Sequence, residues 1–227
     1  MSRAKVVSIV NQKGGVGKTT LTSMAANYIH NETDLQVLVC DSDNQETLKK
    51  MRDQDMKENG LREDDVYYII PVHAKDFATS YEQSIQEDFD ICLVDLPGTM
   101  DADGVLSAIT MVDYLFMPTG VGRKETDSTL EFYQWYMKNI KPVREENGFD
   151  VNVFGIVNNV HKNTYEYKEL LTIIDKLPFK FLESHLGHNT VTFERNSNTY
   201  ETLEYSTGGT ILEDFCKEFL AKCDIKI

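Results

Sequence analysis

The chain predicts a three-layer α/β domain, a mostly parallel twisted sheet with helices on both faces. Short apolar runs rich in Val, Ile and Leu recur along the sequence, the pattern of strands buried on both sides. Stretches of helical period separate these runs, so strand and helix alternate as a parallel sheet requires. The length of 227 residues suits one large domain whose core needs neither metal nor disulfide. With no internal repeat, low-complexity tract or linker, residues 1–227 read as a single domain.

Taken in order, Val6-Val7-Ser8-Ile9-Val10-Asn11 is the first strand, and Leu21 to His30 the helix after it, with Leu21, Met24, Ala25, Tyr28 and Ile29 as its apolar stripe. Leu35 to Asp41 is the second strand and Asn44 to Lys57 the next helix. Val66 to Pro71 is a third strand, followed by a helix from Phe77 to Glu87. The run Phe89 to Asp95 is a buried strand, Asp101 to Ile109 a helix, and Met111 to Pro118 a strand leading into a glycine-bearing loop, Thr119 to Glu125. Thr126 to Glu146 reads as one long helix, Val151 to Asn159 as a strand ending in two asparagines, and the segment around Leu170 to Ile174 as a helix. Phe179-Lys180-Phe181 is a short strand, residues 183–209 are polar and irregular, and Ile211 to Cys223 is a closing helix.

Lys+Arg number 23 against Asp+Glu 37, a formal charge of -14, so the molecule as a whole repels nucleic acid and anionic membrane. The densest basic cluster, Lys49, Lys50, Arg52, Lys57 and Arg62, is interspersed with acids and reads as a solvated helix face. Four cysteines without a Cys-x-x-Cys pair read as reduced core thiols, and no apolar run is long enough to span a bilayer. A soluble, cytoplasmic protein is expected.

The chemistry concentrates in Gln12-Lys13-Gly14-Gly15-Val16-Gly17-Lys18-Thr19-Thr20, a glycine-rich turn between strand and helix. There, backbone N–H groups and the positive helix end converge on one point, which suits a phosphate chain. Lys18 is the residue to neutralise the β- and γ-phosphates and Thr19 the one to ligate Mg²⁺. The generic phosphate-loop pattern requires a glycine where Gln12 stands; the chain carries a second lysine, Lys13, beside it instead. A further strand ends in Asp41-Ser42-Asp43-Asn44-Gln45, whose carboxylates fall beyond the strand ends beside the phosphate loop, and another in Asp95-Leu96-Pro97-Gly98-Thr99.

The Lys-Gly-Gly-x-Gly-Lys-Thr-Thr run resembles the deviant Walker A loop of the ParA/MinD family of ATPases, a branch of the P-loop NTPases. The Asp-x-Asp-x-Gln segment resembles that family's second signature, with Asn44 in place of its usual proline. Residues 91–99 resemble its Walker B strand and switch loop. The resemblance implies ATP and Mg²⁺ as cofactors, with Lys13, Gly14, Gly15, Val16, Gly17, Lys18, Thr19 and Thr20 on the phosphates. It also implies that Lys13 reaches across a homodimer to the partner's nucleotide. Asp43 is then the residue that positions the attacking water, Asp41 a supporting residue for Mg²⁺ or the loop, and Asp95 a holder of Mg²⁺ through water, while the Gly98 N–H senses the γ-phosphate. Asn158, favoured over Asn159, is expected to read the adenine edge. Arg123 and Lys124 are candidates to touch phosphate or a partner.

The function expected from this resemblance is an ATP-sandwiched dimer whose hydrolysis drives partition, transfer or positioning of plasmid, conjugative-element or chromosomal DNA. In Asp95-Leu96-Pro97-Gly98-Thr99 and the following Val112-Asp113-Tyr114-Leu115-Phe116-Met117-Pro118 the sequence resembles most the ParA-type proteins of conjugative elements of Bacteroides-like bacteria. A ParB-like or other stimulating protein is an expected partner. Non-specific DNA has little support from Arg195, which stands among Glu194, Glu201 and Glu204. Two alternatives remain open at this level: a MinD-like membrane-cycling ATPase, against which the acidic closing helix argues, and a metabolic relative, against which the cysteine placement argues. The first strand begins within a few residues of Met1, so sequence-specific operator binding is not expected. His185 and His188 read as surface histidines rather than metal ligands.

Overall fold

The computed structural model describes residues 3–85, 88–99, 102–188, 197–201 and 209–226. Seven strands form one sheet: β1 (Lys5–Ile9), β2 (Val37–Asp41), β3 (Tyr68–Pro71), β4 (Ile91–Asp95), β5 (Tyr114–Thr119), β6 (Asn152–Val157) and β7 (Lys180–Phe181). Their spatial order is β3-β2-β4-β1-β5-β6-β7 and every described pairing is parallel. β1 lies between β4 and β5, so the chain leaves the middle of the sheet, builds one half, returns, and builds the other. Ligands of open α/β sheets bind at such a crossover, beyond the carboxyl ends of the strands.

Strand alternation divides the core into two layers. Val7 and Ile9, Val37 and Val39, Ile91 and Leu93, Tyr114 and Phe116 face one side. There they meet α1 (Lys18–Glu32), Leu48 of α2 (Thr47–Asn59), and Phe215 and Phe219 of the closing helix Gly209–Lys222. Phe116 and Phe219 lie with ring centroids 4.4 Å apart. Val6 and Val10, Leu38 and Cys40, Cys92 and Val94, Leu115 and Met117 face the other side. That layer is closed by α3 (Phe77–Ser80), α4 (Val105–Thr110) and α5 (Arg123–Asn139), through Phe77, Val105, Ile109, Phe132 and Tyr136. Period-two burial on both faces is why these strands read as continuous apolar runs.

Several expected elements differ in detail. The single helix expected from Thr126 to Glu146 is two, α5 and α6 (Lys141–Glu146), separated at Ile140 with Pro142 in the first turn of the second. Proline lacks the N–H that a continuous helix would need there. α5 also starts earlier, at Arg123, so Glu125 belongs to a helix and not to the loop before it. The expected helix from Phe77 runs as a short α-turn and then as a wider turn over Tyr81–Ile85. α7 (Tyr165–Ile173) is the helix expected around Leu170, and the closing helix is α8.

Arg52 departs from the solvated basic face expected of α2: it is 4% exposed. Its guanidinium donates to the Tyr67 and Thr199 carbonyls and, at 2.9 Å, to the Thr199 hydroxyl, and lies 4.4 Å from the Tyr67 ring centroid. Asp55 accepts from the Thr199 N–H and hydroxyl, while Ser23 and Asn27 of α1 donate to the Asn198 carbonyl. Residues 197–201 are thus clamped across α1 and α2.

Candidate nucleotide site

Between β1 and α1 the chain must reverse at a helix N-terminus, and glycine supplies the left-handed backbone this takes. Gly15 and Gly17 have φ of 72° and 92°. Open space surrounds Gly14 and Gly15, whereas a Cβ on Gly17 would lie 2.5 Å from Asn158 Nδ2. Asn158 follows β6, its N–H donating to the Thr119 carbonyl, and its amide donates to the Val16 carbonyl at 2.9 Å. The Asn158 Oδ1 is buried without a partner.

The start of the loop is tied as firmly. Asn11 Nδ2 donates to the Pro118 carbonyl at 2.8 Å and to Thr129 Oγ1 at 2.9 Å, and its Oδ1 accepts the Lys13 N–H at 3.1 Å. One buried amide therefore joins the loop to β5 and α5. Sequence reading overlooked it because an Asn closing a strand carries no motif.

Lys18, in the first turn of α1, donates through Nζ to the Lys13 carbonyl at 3.3 Å. Burial lowers its pKa, opposed by the charges of Asp95 and Asp43. The loop after β4 passes close over it. A Cβ on Gly98 would sit 3.2 Å from Lys18 Nζ and 3.5 Å from the Gln12 carbonyl. Only a residue without a side chain fits there without displacing the lysine.

Two carboxylates lie beneath the loop. Asp41 and Asp95 are register partners at the ends of β2 and β4, both almost wholly buried. Asp41 Oδ2 accepts the Lys49 N–H at 3.0 Å in the first turn of α2, while its Oδ1 has no partner. The Asp95 Oδ1 is also unpartnered. Burial pushes the Asp95 carboxyl up to about 7; the bond from the Thr19 hydroxyl opposes this and the nearby Asp41 charge adds to it. Asp41 is raised by burial against its backbone hydrogen bonds. Buried acceptor oxygens of like charge beside a hydroxyl are the donor set of a hard divalent cation, so Thr19, Asp41 and Asp95 fit Mg²⁺, directly or through water. Ser42, whose hydroxyl is buried and unpartnered, stands between Asp41 and Asp43. Asp43 is half-buried and its Oδ1 accepts the Gln45 N–H at 2.9 Å. Its charge acts on both Lys18 and Asp95.

Lys13 does not point at this centre. Its ammonium is ion-paired to Glu125 in the first turn of α5, with both side chains about one-third exposed (33% and 32%). Sequence reading missed Glu125 by leaving it in a loop. Of the other candidates, Arg123 is exposed and lies 3.8 Å from Asp127, Asn159 bonds His188, and His185 bonds the Tyr167 hydroxyl at 2.9 Å. Arg195, Glu194 and Glu204 lie outside the described residues, among which no group of three or more His, Cys, Asp or Glu forms a metal cluster. No described helix is long and apolar enough to cross a membrane.

The profile of the CobQ/CobB/MinD/ParA nucleotide binding domain matches residues 7–189. The chain belongs to this family. That span takes in the ParA/MinD-type phosphate loop and all three acidic positions described above, together with Glu125 and Asn158. None of the curated protein sequences matches the chain. Solved structures similar to it include a putative plasmid partition protein from Borrelia burgdorferi bound to AMPPNP, 16% identical, with a TM-score of 0.69 over 96% of this chain and 99% of that one. An McdA–ATP complex from Cyanothece is 14% identical, with a TM-score of 0.71 over 100% and 99%. The septum site-determining protein MinD from Pyrococcus horikoshii OT3, complexed with Mg-ADP, is 17% identical, with a TM-score of 0.70 over 99% and 100%. At these identities the likeness establishes a shared ParA/MinD-type fold.

Proposed function

We propose that the protein is a Mg²⁺-dependent ATPase that closes into an ATP-sandwiched homodimer and uses hydrolysis to drive partition, transfer or positioning of DNA. The observation that carries the catalytic part is the pair Asp41 and Asp95, each with an unpartnered buried oxygen beside Thr19 and Lys18. Such an arrangement is costly unless a cation completes it. Mg²⁺ held by Thr19, Asp41 and Asp95 would neutralise phosphate charge.

The chain's own groups divide the remaining work. The N–H groups from Gly14 to Thr20 cradle the phosphates at the end of α1, and Lys18 offsets their charge. Asp43, with one oxygen fixed by Gln45, orients a water in line with the γ-phosphate. The Gly98 N–H, close above Lys18, reports whether that phosphate is present. Asn158 has its donor committed to Val16 and an acceptor free, which suits the exocyclic amine of adenine. Lys13 supplies charge in trans to the partner's phosphates.

The test is Lys13→Gln. Light scattering in ATP and Mg²⁺ is expected to find it monomeric while equilibrium dialysis finds nucleotide binding largely retained. ATP-dependent dimers at wild-type affinity from this variant would remove the cross-subunit role. For the DNA part, a salt series of duplex binding by the ATP-loaded dimer decides: a phosphate-contacting patch gives a linear fall of log affinity with log salt.

A further inference from the structure

We infer that Thr129, within α5, is a positioning residue for the phosphate loop and acts on it through Asn11. The inference rests on that loop being the nucleotide site and is independent of dimerisation. The buried stripe of α5 runs Thr126, Thr129, Phe132, Tyr136, aromatic over the body of the sheet and polar where it reaches the loop. A valine would fill the place of Thr129, which is 1% exposed, with the same shape and no polar atom to satisfy. The hydroxyl is accounted for by two bonds. Oγ1 donates to the Glu125 carbonyl one turn back at 3.0 Å and accepts from the Asn11 amide at 2.9 Å.

Asn11 is wholly buried and its amide can be oriented in one way only. The Pro118 carbonyl must accept and the Lys13 N–H must donate, so Nδ2 faces the first and Oδ1 the second. The donors then run in one direction, Lys13 to Asn11, Asn11 to Thr129, Thr129 to the Glu125 carbonyl, and each bond polarises the next. What this chain of bonds holds is the Lys13 peptide group. Its N–H is fixed from α5, and its carbonyl lies 3.3 Å from Lys18 Nζ. The loop after β4 rests on the same residue, since a Cβ on Gly98 would lie 3.6 Å from the Asn11 carbonyl oxygen. Gly14 and Gly15, with open space about them, bring no side-chain packing to this half of the loop. Hydrogen bonds therefore set its geometry, and Thr129 anchors them to a helix.

Three substitutions separate positioning from packing. Thr129→Val keeps the shape and loses the hydroxyl, Thr129→Ser keeps the hydroxyl and loses a methyl, and Thr129→Ala loses both. Affinity for Mg-ADP is measured by calorimetry, because a nucleotide without a γ-phosphate reports on the loop alone, and stability by urea denaturation of the same samples. Losing the hydroxyl strands a buried Asn11 N–H, so Thr129→Val and Thr129→Ala are expected to bind roughly 5- to 150-fold more weakly than wild type while folded. Thr129→Ser is expected to bind as wild type does, despite the stability that its missing methyl costs. Folded Thr129→Val binding as tightly as wild type overturns the inference, and so does Thr129→Ser binding as weakly as Thr129→Ala. If Thr129→Val does not fold, the serine and alanine variants, which share the missing methyl, decide alone. A wild-type protein that takes up no Mg-ADP overturns instead the nucleotide reading beneath the inference, so the two failures are distinct.

Discussion

Asn158 Nδ2 occupies the space that a side chain on Gly17 would need, 2.5 Å from the built Cβ, and from there it holds the Val16 carbonyl. The end of β6 thus props up a loop more than a hundred residues earlier in sequence. Gly17→Ala meets both a left-handed backbone, φ 92°, and this amide. Strain of about 1–3 kcal/mol and a displaced prop predict a roughly 5- to 150-fold loss of ATP affinity by calorimetry.

Asp43→Ala is expected to bind ATP and dimerise while turnover falls by about 100-fold or more, the range that a positioning or general-base group contributes. Single-turnover hydrolysis checks it. A variant turning over at the wild-type rate would exclude Asp43 from orienting the water.

Asp95 gives the nucleotide-free protein a pH-dependent stability. Its folded pKa, about 7, lies above the ordinary carboxylate value, so folding favours the protonated form. That contribution is complete below the unfolded value, declines as pH rises, and is gone above about 7. Asp95→Asn cannot ionise. In Mg²⁺-free buffer its stability advantage over wild type is expected to be greater at pH 8 than at pH 5 by on the order of 2 kcal/mol, measured by urea denaturation.

Arg52→Met should cost about 1–3 kcal/mol for each buried acceptor it strands, because it leaves the Tyr67 and Thr199 carbonyls without their donor. Limited proteolysis is expected to cut first around residues 197–201, since these lose their clamp.

Sequence made the sheet legible because its strands are buried on both faces, and runs such as Ile91-Cys92-Leu93-Val94 admit little else. The phosphate loop was legible for a related reason: Gly17 needs a φ that other residues seldom adopt, so the pattern is written in glycine. Asp41 and Asp95 could be found because each closes an apolar run, which fixes its depth. Glu125 and Asn11 could not. Their roles depend on partners more than a hundred residues away, or on a loop two residues away, and neither type is rare at its kind of position. Arg52 was misread for the opposite reason, since charges at helical spacing on α2 look solvated until residues 197–201 are seen lying across them.

The central position of β1 bears on how the protein is made. The nucleotide loop precedes most of the sheet in chain order, yet its strand is flanked by β4 and β5, and its prop follows β6. Strand pairing over such distances is slow. A nascent chain that has not passed Asn158 has the whole signature and no formed site, so acquisition of ATP binding during synthesis reports completion of nearly the entire sheet.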